Sequence, residues 1–298
     1  MKSTFLSRLH RNGVFFLVGA LLLLLGIPLY QQLVLSPVGY DTALASIGNG
    51  VFTSYLLWIG AHLSQFLGYR ALLILSFACL VNLPFTLFRI IVAQEILEPI
   101  EDQKVKEEHQ AQENAESDKP TDEASDGADR DVEEQVKAEE AAGRMPTDAW
   151  RGKGFAVIAA WSGLLAIVLY TLGTLASTIY LATVGGQFGI HSPLPGGFST
   201  ITSILTIIPN SIGIGFLALS SLLFGAVIAR RGRNLWPTIW VFFGYTALAV
   251  AALLSGSAVA VASAGITGQS LLTTPAIVLL ALWVLWFGVM LVRLKPEA

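Results

Sequence analysis

The chain has 298 residues, 54% of them hydrophobic and only 13% charged, and its mean hydropathy is +0.64. Soluble domains carry roughly 25% charged residues, so the composition excludes a soluble enzyme, a nucleic-acid-binding domain and a disordered chain, and marks a membrane protein. Of the 18 basic and 21 acidic residues, 6 and 17 fall between Glu101 and Asp148. The remainder is too sparsely charged to clothe a water-exposed surface. The only cysteine, Cys79, has no second thiol to pair with.

In chain order, Lys2, Arg8 and Arg11 precede an apolar run from Val14 to Leu35 that contains five consecutive leucines, Leu21 to Leu25. A positive start and an apolar run resemble a signal peptide. The run is long, however, and no small-x-small cleavage pattern closes it, so it is read as a retained first span. Further apolar stretches follow at Ile47 to Leu67, Ala71 to Phe88, Gly154 to Val184, Phe198 to Ala229, Leu235 to Ala262 and Pro275 to Val292. Roughly 20 residues cross a hydrocarbon core of about 30 Å, so seven spans is the upper count.

Lysine and arginine stay on the cytoplasmic side of short loops. Six spans with both termini cytoplasmic leave only Arg70 outside, whereas seven spans with the central segment inside also expel Lys2, Arg8 and Arg11. Six is favoured. The stretch at 47–67 is then an interfacial or re-entrant helix, with Phe52, Tyr55, Leu56, Ile59, Leu63 and Phe66 on one face and Ser54, Ala61, His62 and Gln65 towards another. The fold class expected is all-α: a polytopic helix bundle of six spans plus that helix, or seven spans. Its parts are an N-terminal membrane part, 1–100, with spans near 14–35 and 71–94; an acidic linker, 101–148; and a C-terminal membrane part, 149–298, with spans near 154–184, 198–229, 235–262 and 275–293.

The linker has a net charge of −11 while the whole chain has −3, so the membrane parts are cationic. With few aromatic or β-branched residues it cannot bury enough apolar surface to fold alone. It reads as a largely disordered cytoplasmic spacer, with helical tendency at Ile90 to Gln112 and Asp131 to Ala142. A basic partner is the sharper alternative.

Two C-terminal stretches exceed the bilayer thickness. The second contains Pro209-Asn210-Ser211 followed by Gly213 and Gly215, which predicts a broken helix, and Asn82-Leu83-Pro84 predicts another. Broken helices at membrane depth expose backbone groups to solutes, so Ser203, Thr206, Pro209, Asn210 and Ser211, with Thr202, form a candidate substrate path. The run Gly185 to Gly197 reads as an elaborate outer loop, a candidate lid. Small residues at four-residue spacing, including Gly173 with Ser177, Ser211 with Gly215, Ser221 with Gly225, and Ala252 with Gly256 and Ala260, let helices approach closely. Gly173, Ser177, Ala252, Gly256 and Ala260, together with Arg89, are the candidate interface to a protein partner or a second copy.

No aspartate, glutamate or lysine lies inside the apolar stretches, and Asp41, Arg70, Arg89 and Glu95 fall at proposed span ends. Proton relays and intramembrane proteases need such groups at depth. Metalloprotease, hydrolase, P-loop and Cys-x-x-Cys motifs are missing, and His62 and His191 are too few and too peripheral for haem. No catalytic residue, metal or cofactor is therefore expected, nor any nucleic-acid partner. The leading expectation is a non-enzymatic membrane subunit or scaffold of a larger assembly in a bacterial cytoplasmic membrane. The alternative is a channel, transporter or translocation component, and a lipid-acting enzyme using His191 or Arg89 is a third.

Overall fold

The computed structural model describes residues 3–48, 51–93, 147–264 and 271–293, and among them all regular structure is helical. The linker expected at 101–148 lies, but for its last two residues, outside the described residues, as do Glu95 and most of the helical stretches expected at 90–112 and 131–142. Among the described residues six helical segments are long and apolar enough to cross a membrane: Ser7–Val38, Leu63–Ala93, Gly154–Gln187, Phe198–Arg230, Thr238–Ser263 and Thr273–Arg293. Helix is the form such runs take in hydrocarbon, because every backbone N–H and C=O must then find its partner within the segment. The outward faces agree with a lipid environment. Val14, Val18, Leu21, Leu25 and Leu29 recur at helical spacing and are exposed on the first span, as are Ile158, Trp161, Leu165, Leu172 and Ile179 on the third. The chain is a multi-pass membrane protein.

The spans form a ring in which each packs on its neighbours in sequence and the sixth closes on the first. Ser7, Ala93, Gly154, Arg230, Thr238 and Arg293 end their spans at one face, here the near face; Val38, Leu63, Gln187, Phe198, Ser263 and Thr273 end theirs at the opposite, far face. The near half is filled. Phe16 of the first span stacks on Phe287 of the sixth with centroids 5.7 Å apart, and Phe243 of the fifth stacks on Trp283 at 4.8 Å. The Trp283 indole N–H also donates to the Phe243 carbonyl at 3.2 Å. Between the fourth and fifth spans the backbones nearly touch: a Cβ on Gly225 would lie 2.8 Å from the Gly244 carbonyl oxygen. In lipid, where burial of apolar surface gives little advantage to one helix pair over another, such close dispersion contacts are what hold spans together.

The stretch expected as one helix over 47–67 is divided. A short helix Tyr40–Gly48 follows the first span, a second runs Phe52–Ala61, and His62, with φ −126° and ψ 39°, breaks the chain before the second span begins at Leu63. Tyr55, Leu56, Ile59 and Phe66 are buried, as the apolar periodicity requires. The Trp58 indole N–H, donating to the Val38 carbonyl at 2.7 Å, ties this pair of helices to the end of the first span. Because the second span starts eight residues before Ala71, Arg70 lies inside it. The expectation that every charge sits at a span end is corrected at this residue: the sequence has no glycine or proline pair there to stop a helix, so the arginine is carried within the turn.

The two predicted breaks take different forms. At 80–82 the chain turns between Leu63–Cys79 and a helix over 83–93, with the Leu83 N–H donating to the Leu80 carbonyl at 2.8 Å. At Pro209 the helix does not stop. Ile208–Gly213 widens into a π-helical turn between Phe198–Ile207 and Ile214–Leu235, and the flanking Ile207 and Ile214 keep right-handed helical dihedrals. One extra residue per turn accommodates a proline that has no N–H and crowds the preceding turn, so the ladder is re-registered and the helix is kinked instead of opened.

Candidate functional site

The far half of the ring is hollow. A cavity of about 350 Å³ is walled by the first, second, third, fourth and sixth spans, with Tyr40, Leu44 and Ile47 of the first short helix and Tyr55 of the second across its far end. The size and the mixed lining, aromatic and aliphatic side chains with a few convergent polar groups, are those of a small-molecule site.

Among the described residues Arg70 is its only charged lining residue. The second span presents Tyr69, Arg70, Leu73 and Phe77 to the cavity, spacing that keeps them on one helical face. Tyr40, Tyr55, Tyr69 and Tyr170 line the same cavity near the guanidinium, with Tyr55 interacting most strongly with it. It also lies 5.3 Å above the centroid of the Phe66 ring, a cation–π contact. Its Nε is shielded from solvent and has no hydrogen-bond partner, and among the described residues no carboxylate pairs with it. Asp41, the nearest acid in sequence, is engaged at the far face by the Ser36 hydroxyl at 2.5 Å and the Gln31 amide at 3.4 Å.

Packing fixes this geometry. Tyr30 donates to the Gln65 carbonyl at 3.2 Å and lies against the backbone of Gly68, where a Cβ would collide with the phenol. Tyr40 is wedged between Trp58 and Tyr69, with centroids 5.0 and 6.0 Å away. Burial raises the Tyr40 phenol well above its ordinary value, with the neighbouring phenols adding to this and Arg70 opposing it. Burial raises the Tyr55 phenol also, again against the pull of Arg70. Both are neutral hydrogen-bonding groups at physiological pH.

The predicted path residues divide. Thr202, Thr206, Pro209 and Asn210 line the cavity. The Asn210 amide donates to the Thr206 carbonyl at 3.1 Å, and Thr202 keeps a buried hydroxyl with no partner. Ser203 does not line it, and Ser211 turns away to donate to the Ala258 carbonyl of the fifth span at 2.9 Å. Of the candidate interface residues, Ser177 lines the cavity, and Gly173 packs under the kink, where a Cβ would lie 2.9 Å from Pro209 Cδ. Ala252 and Arg89 are exposed, Ala260 is half-buried, and Gly256 faces Leu272 of the same chain. His191 is exposed in the loop at 188–197.

Sequence reasoning missed Arg70 and its tyrosines. The signal was present: Phe66, Arg70, Leu73 and Phe77 follow a helical period, so the lone charge of that run shares a face with inward apolar residues. Among the described residues no group of three or more histidine, cysteine or acidic side chains is placed to hold a metal. Comparison with protein-family models, with curated proteins and with solved structures finds no match to this chain.

Proposed function

We propose that this chain is a non-enzymatic channel, transporter or translocation component whose solute occupies the far-half cavity. The observation that carries the reading is the cavity itself: five of six spans converge on a chamber of mixed polarity, and the fourth span contributes Thr206, Pro209 and Asn210 to its wall. A π-helical turn inside a helix is a feature that recurs at functional sites. The distribution of lysine and arginine supports a cytoplasmic near face, with both ends and the acidic linker inside a bacterial cytoplasmic membrane. Vesicles containing the pure chain, assayed for ion conductance, efflux of small polar solutes and transfer of labelled lipid, test this. Wild type supports at least one activity and Asn210→Leu abolishes it at unchanged expression; inactivity in all three, or flux indifferent to Asn210→Leu, counts against it.

One observation favours a second reading, a subunit or scaffold joined to a protein partner or a second copy. Ala252 lies on an outward face of the fifth span with exposed Phe242, Tyr245 and Val259, a surface on which another helix could pack closely. A particle in mild detergent that contains other proteins in fixed ratio supports it, and a lone monomer removes it.

A further inference from the structure

We propose that the far-half cavity binds the phosphate-bearing head of an anionic lipid, with Arg70 as its counter-ion and a gap in the ring as its route from the bilayer. The inference deepens the preceding reading and rests on the cavity being the ligand-bearing part of the molecule.

Charge supplies the first argument. A guanidinium inside a membrane span is costly unless it is paired or hydrated, and such residues mark ligand or ion sites. Phenols solvate Arg70 without neutralising it. Its Nε and the Thr202 hydroxyl are both buried polar atoms without partners, and both residues line the same cavity. A phosphodiester brings one negative charge and several acceptor oxygens in a geometry that suits guanidinium. The donors of Arg70 and the Thr202 hydroxyl are the groups such a head leaves satisfied.

Polarity along the cavity supplies the second. Arg70, Tyr55 and Thr202 lie towards the far face. Further into the bilayer the walls contributed by the first, second and sixth spans become Leu23, Phe77 and Ile277. The third and fourth spans add Tyr170, Thr174, Thr206 and Asn210, and a lipid with its head at Arg70 lays its chain along the apolar wall of the first, second and sixth spans.

Access supplies the third. Among the described residues, the first and sixth spans pack through residues 3–26, but residues 27–38 make no extensive contact with Thr273–Arg293, and Phe198–Ile207 packs extensively only on the third span among the other spans. Among the described residues this leaves the cavity flanked by Pro28, Val278 and Leu205 on its lipid-facing side. From the aqueous side the helices carrying Tyr40, Leu44, Ile47 and Tyr55 stand across it. The route is therefore lateral.

The full-length chain, purified in mild detergent and titrated with phosphatidylglycerol, phosphatidylcholine or inorganic phosphate under native mass spectrometry, tests the proposal. Wild type retains one phosphatidylglycerol per chain in preference to phosphatidylcholine, and Arg70→Gln weakens that retention by about tenfold or more. Ile277→Trp, which crowds the apolar wall and leaves the guanidinium in place, weakens it also and guards against a folding defect at Arg70. Equal retention of both lipids by wild type, or wild-type retention by both variants, overturns the proposal. Displacement of the lipid by inorganic phosphate at comparable concentration assigns the site to a soluble anion and overturns the lipid source. Flux lost in Asn210→Leu with lipid retention indifferent to Arg70→Gln overturns this inference alone; the reverse pattern supports the lipid site and removes the transport route through Asn210.

Discussion

Arg70 shows how one residue acquires meaning from its surroundings. Seven positions into its span, it stays in the membrane because aromatic side chains from the second and third spans and the two short helices converge on it. Two consequences are measurable at this scale. Tyr40 and Tyr55 titrate above their ordinary value of 10.0, chiefly through burial. Raised phenols contribute stability that is fully present below the unfolded value and is lost as pH rises through the folded one. Thermal stability in detergent is thus expected to hold to about pH 10 and to fall above it, and Tyr40→Phe flattens that fall; an unchanged alkaline slope refutes the assignment. At Trp58, replacement by phenylalanine keeps an aromatic ring, though a smaller one, and removes the donor to the Val38 carbonyl. A loss of about 1 kcal/mol is expected, read from the midpoint of denaturant unfolding.

At the scale of elements, the close approaches decide what substitution the ring tolerates. Gly173 sits against the ring of Pro209 at the kink. Gly173→Val must push the third and fourth spans apart, at an expected cost of about 1 to 3 kcal/mol. Gly215, in the same fourth span, has open space where a Cβ would stand. Gly215→Ala is expected to stabilise by about 0.5 to 1 kcal/mol through helix propensity alone. A pair of melting curves checks both, and equal shifts in one direction refute the packing argument. The kink itself was legible in the proline and glycines of 209–215. That it is a widened turn instead of a gap was not, because whether a helix re-registers or opens depends on what its neighbours supply to the freed carbonyl groups.

The whole molecule is a ring whose near half is packed and whose far half encloses the cavity. Six crossings predict residues 120, 233 and the C-terminus on one side of the membrane and residue 191 on the other. Reporter fusions at these four positions are expected to divide three to one, with the three cytoplasmic; a reporter at 191 on the same side as the rest refutes the ring topology.

Sequence alone determined the class of this protein, the membrane environment, the helical form and the existence of the long spans, because hydrocarbon leaves a polypeptide no other way to satisfy its backbone over runs of some 20 apolar residues. It also pointed to Thr206, Pro209 and Asn210, since proline leaves a local trace wherever it falls. Tertiary structure decided the division of the 47–67 stretch, the place of Arg70 and the cavity. These depend on contacts between residues far apart in the chain: Tyr40, Arg70, Tyr170 and Thr202 share one chamber only after five spans and a short connecting pair have closed around it. Periodicity records which face of a helix turns inward, and it holds no record of what that face meets.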